Sequence, residues 1–175
     1  GVKIERLLVL RGQRVEHLHQ LGRSVGPLIV DKKAKRFGHD FGLFHNRIRE
    51  NLLANGNFES GGTGWTGNAL QVRTEGGNSY NFADVTAAGE AYTVNLSYPV
   101  SIPALGTQYK LTFKASSNRD RALKAGIGLS DAPWANTVED VSLTSTEQTF
   151  ELVLTSNFAS ESSRVIFDMG HDTGH

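Results

Sequence analysis

Cysteine is absent from the chain, and that single gap removes disulfide frameworks, thiolate-bound zinc and a cysteine nucleophile together. Long apolar runs are missing too. No stretch approaches the roughly 18 consecutive apolar residues of a membrane-spanning helix, so a membrane partner is not expected. No cationic, apolar leader opens the sequence, and the expectation is that any signal peptide has been removed or was never part of this stretch. Catalytic signatures are equally scarce. There is no Gly-x-Ser-x-Gly elbow, no Walker loop and no His-Glu-x-x-His helix. Carboxylates are available at Glu59, Asp84, Glu90, Asp131, Glu139 and Asp140, but no pair of them falls in a pattern that would flank a scissile glycosidic bond. An enzyme is not expected. Charged residues make up 21% and hydrophobic ones 38%, too little charge for disorder and enough apolar material to fill a core. With 175 residues, the chain is the size of one domain, or one domain with an appendage.

Net charge is zero, but it is divided unevenly. Residues 1–50 carry 11 Lys/Arg against 5 Asp/Glu, a net of +6, and residues 51–175 carry 7 against 13, a net of −6. A boundary near Glu50–Asn51 follows. The basic part opens on an apolar run, Val2–Leu10, and continues without a sustained period through RFGHDFGLFHNRIRE. It reads as a linker, the remnant of a neighbouring module or appended sequence, with 2–10 as a candidate strand donor. A basic arm could also bind nucleic acid; the acidic body argues against a polyanion, and no nucleic-acid partner is expected.

From Asn51 the texture is that of strands. In YKLTFKA, Tyr109, Leu111, Phe113 and Ala115 share one face, with Lys110, Thr112 and Lys114 on the other. TFELVLT, LQVRT (70–74), AYTVNLS (91–97), ALKAGIGLS (122–130) and RVIFDM (164–169) are similar. GGTG, EGGNS and SSNRD read as turns. Short strands with one wet and one dry face predict an all-β sandwich of two antiparallel sheets.

Surface aromatics interleaved with planar polar groups suit sugars. A sugar's C–H faces lie on rings, and its hydroxyls pair with amides and carboxylates. Trp134 sits in a Pro-bearing loop between two strands, close to Asn136, and reads as an exposed platform. Trp65, in GGTGWTG, is either a second platform or a plug over one end of the sandwich. Strand parity over AYTVNLS puts Tyr92 on the core side with Val94 and Leu96, and Asn95 on the ligand side with Thr93 and Ser97. Gly126-Ile127-Gly128 is a lone Gly-x-Gly within a strand and needs no cofactor.

These residues carry a resemblance. Asn51-Leu52-Leu53-Ala54-Asn55-Gly56-Asn57-Phe58-Glu59, followed by Trp65, resembles the opening of family-4-type carbohydrate-binding modules and their relatives. Gly106–Ala115 resembles their central strand and Arg164–Gly170 their late strand. Thr146–Phe150 resembles their Trp-Gln-Thr-Phe segment, with Glu147 where the Trp usually stands. The loop from Asp131 to Thr137 is similar to that of modules attached to laminarinase-type β-1,3-glucanases. The resemblance implies a jelly-roll sandwich, over residues 51–175, that binds β-glucan without hydrolysing it, with laminarin-like β-1,3-glucan preferred. It further implies an appended glycoside hydrolase as partner, secretion, and a ligand role for an aromatic near Tyr92 despite strand parity. The competing class is a protein–protein or adhesion module on the same sandwich.

Two expectations concern the ends of this resemblance. Relatives usually finish on a further strand of the Val-x-Ile-Asp-Asp-Val type, missing after Gly170–Gly174, and Val2–Val9 has its apolar spacing. The open seam, beside Asn51–Leu53 and Arg164–Met169, should be covered by Val2–Val9 or by a second copy of the chain. Many relatives also hold a structural Ca²⁺, for which Glu59 is the matching acidic residue. Glu5 would approach it if β-pairing placed Val2–Val9 in the seam.

Overall fold

Alternation becomes strand wherever turn residues let the chain reverse. The structure, a computed structural model, describes residues 2–11 and 50–173; most of the basic segment, 12–49, lies outside the described residues. Within them the strands are β1 (Val2–Arg11), β2 (Val72–Glu75), β3 (Asn78–Ala83), β4 (Asn95–Ile102), β5 (Gln108–Ser117), β6 (Arg121–Leu129), β7 (Asn136–Leu143), β8 (Gln148–Thr155) and β9 (Ser160–Asp168). They form a five-stranded sheet in the order β2-β3-β1-β5-β8 and a four-stranded sheet in the order β4-β9-β6-β7. All pairings within the two sheets are antiparallel. This is the all-β sandwich that the alternation predicts. No described helix is long and apolar enough to cross a membrane.

Between the sheets, Tyr109, Leu111, Phe113 and Ala115 of β5 face Leu96, Leu123, Ile127, Val165 and Phe167 across the core. Phe113 joins the two layers directly: its ring meets Phe167 edge-on at 5.0 Å and stacks on Phe150 at 5.3 Å. Each such buried side chain contributes about 1.5–3 kcal/mol.

β3 was not legible as a strand. Gly76 and Gly77 both have positive φ (58° and 81°) and Glu75 pairs directly with Asn78, so EGGN is a two-residue hairpin of the type that right-twisted strands favour. The turn was correctly placed; the strand after it, NSYNFA, has a weaker apolar pattern because Asn81 is buried among the core residues. Asn81 is paired with Ile4 on one side and Val72 on the other, and its buried side chain is satisfied by donating to the Ala69 carbonyl and accepting from the Gln71 N–H.

Val2–Arg11 occupies the middle of the five-stranded sheet, flanked by β3 and β5. The expected seam is therefore half right. Leu52 N–H donates to the Val9 carbonyl and Val9 N–H to Asn51 Oδ1, so the strand does lie beside Asn51–Leu53. It does not pair with the late strand, because β9 is already paired on both sides by β4 and β6. A bulge between Glu5 and Leu8 inserts a residue and reverses the parity of the strand: Val2 and Ile4 point to the core before it, Leu7 and Val9 after it. At the bulge, Leu7 N–H donates to the Gly56 carbonyl at 2.7 Å. Gly56 must be bare here, since a Cβ would sit 2.1 Å from the Leu7 oxygen.

On the outer face of the same sheet, charges are zipped across strands. Lys3 pairs with Glu5, lies 4.4 Å from the Tyr80 ring centre and reaches Glu147, which also meets Lys114 at 3.3 Å. Glu5 is only 4% exposed. Burial opposes its charged form, but hydrogen bonds from Lys3 and Asn78 and the Lys3 charge outweigh burial and hold its carboxyl below the ordinary value. For Lys3, burial is likewise outweighed by Glu5, and its ammonium is held above the ordinary value. A depressed acid contributes stability above its unfolded value, near 4.5, and loses it as pH falls through the folded one. Glu5→Gln should therefore flatten the acid limb of a melting-temperature-versus-pH curve below about that pH, relative to the parent protein. Parallel acid limbs would show that the pair does not anchor β1.

Candidate functional site

The outward face of the four-stranded sheet is built from three cross-strand rows. Strand registers place Asn95, Asp168, Lys124 and Asp140 in the first, Ser97, Ile166, Gly126 and Val138 in the second, and Pro99, Arg164, Gly128 and Asn136 in the third. Their neighbours Leu96, Tyr98, Val165, Phe167, Leu123 and Ile127 point the other way, into the core. In the middle row Ser97 and Ile166 are each 3% exposed and Gly126 is buried, so this row is a covered seam between two more exposed rows that carry the charged and amide side chains. Across the four strands the face measures about 14 Å, and its outer rows are about 13 Å apart along the strands.

Glycine is required on the floor. A Cβ on Gly126 would lie 2.1 Å from the Thr137 carbonyl oxygen, and one on Gly128 would lie 2.6 Å from Ile166 Cδ1 and 2.9 Å from Asn136 Cβ. The bare backbone of β6 lets the neighbouring strands' side chains lean over it. The Gly-x-Gly pattern is what the close packing of β6 against β7 and β9 requires.

Two exposed aromatics stand at opposite corners. Trp134 is 55% exposed, in the loop before β7. That loop is clipped at both ends: Trp134 N–H donates to the Asp131 carbonyl, Asp131 accepts from Ser162 Oγ at 2.8 Å, and Asn136 Nδ2 donates to the Trp134 carbonyl at 3.0 Å. Trp134 has φ 59°, a left-handed conformation that a bulky residue keeps only where its surroundings impose it. Arg164 lies beneath the indole, 5.7 Å from the ring centre, and its guanidinium extends across the face to the Leu129 carbonyl and Ser97 Oγ. One side of the indole is thus backed by a cation while the residue as a whole stays open to solvent.

At the other corner Tyr92 is 63% exposed. Strand parity fails for it because the strand begins only at Asn95; Tyr92 sits in a 3-10 turn, Ala91–Thr93. The turn is fastened to the end of β9 by Gly170 N–H donating to the Ala91 carbonyl and Met169 N–H to that of Val94. Asn95 Nδ2 holds the turn by donating to the Tyr92 carbonyl, while Asn68 accepts from Asn95 N–H and donates to the Thr93 carbonyl. Tyr92 and Asn95 therefore stand together at the same margin.

Trp65 is elsewhere, and as a platform it is corrected. It is 4% exposed, stacked on Phe58 at 4.8 Å and edge-on to Tyr98 at 5.1 Å, and its Nε1–H donates to the Asn55 carbonyl. It is the plug over one end of the sandwich. Asn55 ties the loop around it, donating to the Gly61 and Thr63 carbonyls and accepting from Ser60 N–H.

Arg164, Asp168 and Lys124 on this face were not singled out from the sequence. The signal was present: in RVIFDM the period that sends Val165 and Phe167 inward sends Arg164, Ile166 and Asp168 outward. Desolvation pushes the Asp168 carboxyl above its ordinary value, against the charges of Arg164 and Lys124. Its register neighbours are Asn95 and Lys124, and among the described residues none donates it a hydrogen bond. It is a carboxylate with acceptor capacity to offer.

Calcium needs about six to eight oxygen ligands. Glu59 is exposed, and among the described residues no three His, Asp or Glu side chains come together. Glu5 does not answer it, being paired with Lys3. The described side chains do not fit a calcium cage at Glu59.

The outward face of the four-stranded sheet, floored by glycine and with exposed Tyr92 and Trp134 at its margins, is the candidate ligand-binding surface. Residues 50–174 match the family described as "Carbohydrate binding domain", and the chain belongs to that family. Among solved structures it is similar to one described as "CBM4 structure and function", at TM-score 0.55 and 22% identity, covering 65% of this chain and 86% of that one. It is also similar to the N-terminal cellulose-binding domain of β-1,4-glucanase C from Cellulomonas fimi, at TM-score 0.51 and 19% identity, covering 65% and 82% respectively. No curated protein matches the chain in sequence.

Proposed function

We propose that the outward face of the four-stranded sheet binds a β-glucan chain between Tyr92 and Trp134, and that laminarin-like β-1,3-glucan is preferred over cellulose and xylan. The carrying observation is the placement of Tyr92–Asn95 and Trp134–Asn136 at opposite corners of one face, with Arg164 and Asp168 between them. Sugar C–H faces would lie on the two rings, and hydroxyls would pair with Asn95, Asn136, Asp168 and Arg164. The corners are about 19 Å apart on the diagonal, room for several sugar residues. Platforms at two corners suit a chain that curls between them, as a β-1,3-linked glucan does, better than a flat β-1,4 ribbon. The likeness of the Asp131–Thr137 loop to laminarinase-type modules supports the same linkage. In this reading the module contributes binding alone, and holds an appended glycoside hydrolase on secreted or cell-wall polysaccharide.

Calorimetry or affinity electrophoresis with laminarin, barley β-glucan, xylan and cellulose tests it. Laminarin should bind most tightly, with little dependence on salt, because stacking and neutral hydrogen bonds are not screened as ion pairs are. The Cellulomonas fimi neighbour is described as cellulose-binding, so tighter binding to cellulose would overturn the linkage preference. No binding to any of the four would overturn the β-glucan reading.

A further inference from the structure

Strand β1 is central in its sheet, but residues 12–49 separate it in sequence from everything it pairs with. Its contacts are the ladders to β3 and β5, the links from Leu7 to Gly56 and from Leu52 to Val9, and the burial of Val2, Ile4, Leu7 and Val9. All of these join residues 2–11 to residues 50–173, and an identical strand from another molecule would make every one of them.

We infer that the slot between β3 and β5 is a strand acceptor that exchanges Val2–Arg11 between copies of the chain, giving a swapped dimer. An empty slot does not persist, because β3 and β5 would each present a row of unpaired N–H and C=O groups beside an open apolar core. The slot specifies its strand closely. Gly56 is bare where the Leu7 carbonyl approaches, Asn51 caps Val9, and Glu5 must meet Lys3 and its surroundings at the bulge. A second copy supplies that strand by definition. Residues 12–49 can extend on the order of 100 Å, far enough to reach either slot. Closed and swapped forms share their contacts and differ mainly in the cost of bringing the strand to its slot. Thirty-eight residues join the strand to its slot, and a connection of that length holds the strand at an effective concentration on the order of 1 mM or below, so the swapped form competes as the protein approaches that concentration. The slot is in the five-stranded sheet and the proposed glucan face is on the other, so exchange pairs two binding faces without covering either. The inference does not depend on the glucan reading.

The absence of cysteine makes the test clean. Val2 and Ser117 are cross-strand partners outside the Lys3–Glu5 pair, within the usual Cα separation of a disulfide. Full-length protein is equilibrated at about 10 μM and about 1 mM, bracketing that effective concentration, and its mass is read by light scattering. A monomer is expected at the lower concentration and a substantial dimer fraction at the higher. An equimolar mixture of Val2→Cys and Ser117→Cys chains, oxidised after the concentrated incubation, should give a disulfide-linked dimer that neither chain gives alone. The double variant, oxidised while dilute to lock β1 in its own slot, should stay monomeric when concentrated. Parent protein that remains monomeric throughout, or a dimer that forms equally well from the locked chain, would overturn the inference.

Discussion

Trp65→Ala is expected to destabilise the protein by about 3–5 kcal/mol, the range for removing a large aromatic from a packed core. The indole is sealed between Phe58 and Tyr98, and its N–H is spent on the Asn55 carbonyl. The loop around it has no slack: a Cβ on Gly64 would lie 2.6 Å from the Tyr98 ring. Truncation would leave a cavity lined by rings and remove one of the two hydrogen bonds to the Asn55 carbonyl, the other coming from Phe58 N–H. For a domain of this size each kcal/mol lowers the melting temperature by about 2–4 °C, so a fall of about 6–20 °C is expected in a thermal melt. Glucan affinity, measured well below the transition, should be unchanged because Trp65 is far from solvent. A variant that melts with the parent protein, or that loses affinity while folded, would contradict the assignment.

Trp134→Ala should do the reverse. A base or sugar ring stacked on an aromatic is worth about 1–3 kcal/mol, by analogy with nucleic-acid platforms, which corresponds to about a 5- to 150-fold weaker dissociation constant. The melting temperature should move by no more than about 2 °C, since an exposed substitution typically changes stability by under about 0.5 kcal/mol. The positive φ does not disturb this comparison, because alanine is disfavoured there much as tryptophan is. Trp134→Tyr, which keeps a platform, should recover most of the affinity in the same titration. Unchanged affinity in the alanine variant would remove Trp134 from the site, and a large drop in melting temperature would make it a core residue.

The sandwich was legible because alternation is a property of the sequence alone: Tyr109, Leu111, Phe113 and Ala115 announce their face without reference to any partner. What escaped depended on tertiary context. Strand parity misplaces Tyr92 because the strand-like run AYTVNLS is not strand throughout: its first three residues close a 3-10 turn against β9. Trp65 and Trp134 have similar local surroundings in sequence, glycine or proline in a polar loop, and only the packing of Phe58 and Tyr98 separates plug from platform. In β1 a bulge reverses the parity, so no regular period could predict which residues are buried. Seating that strand between β3 and β5, and not beside the late strand, required knowing that β9 is paired on both sides. Asp168 and Arg164 were within reach of the alternation in RVIFDM, but an outward polar residue becomes a site residue only when the rows of four strands are aligned.

The central claim is that one face binds, and it can be tested residue by residue. Backbone amide and indole resonances of the full chain would be followed by NMR during titration with a laminari-oligosaccharide. The largest shifts are expected at the Trp134 indole and at the amides of Asn95, Gly126, Gly128, Ile166 and Asp168, with Lys3, Thr112 and Glu151 on the opposite sheet unmoved. Shifts confined to the five-stranded sheet or to the Trp65 loop, with Trp134 silent, would contradict it.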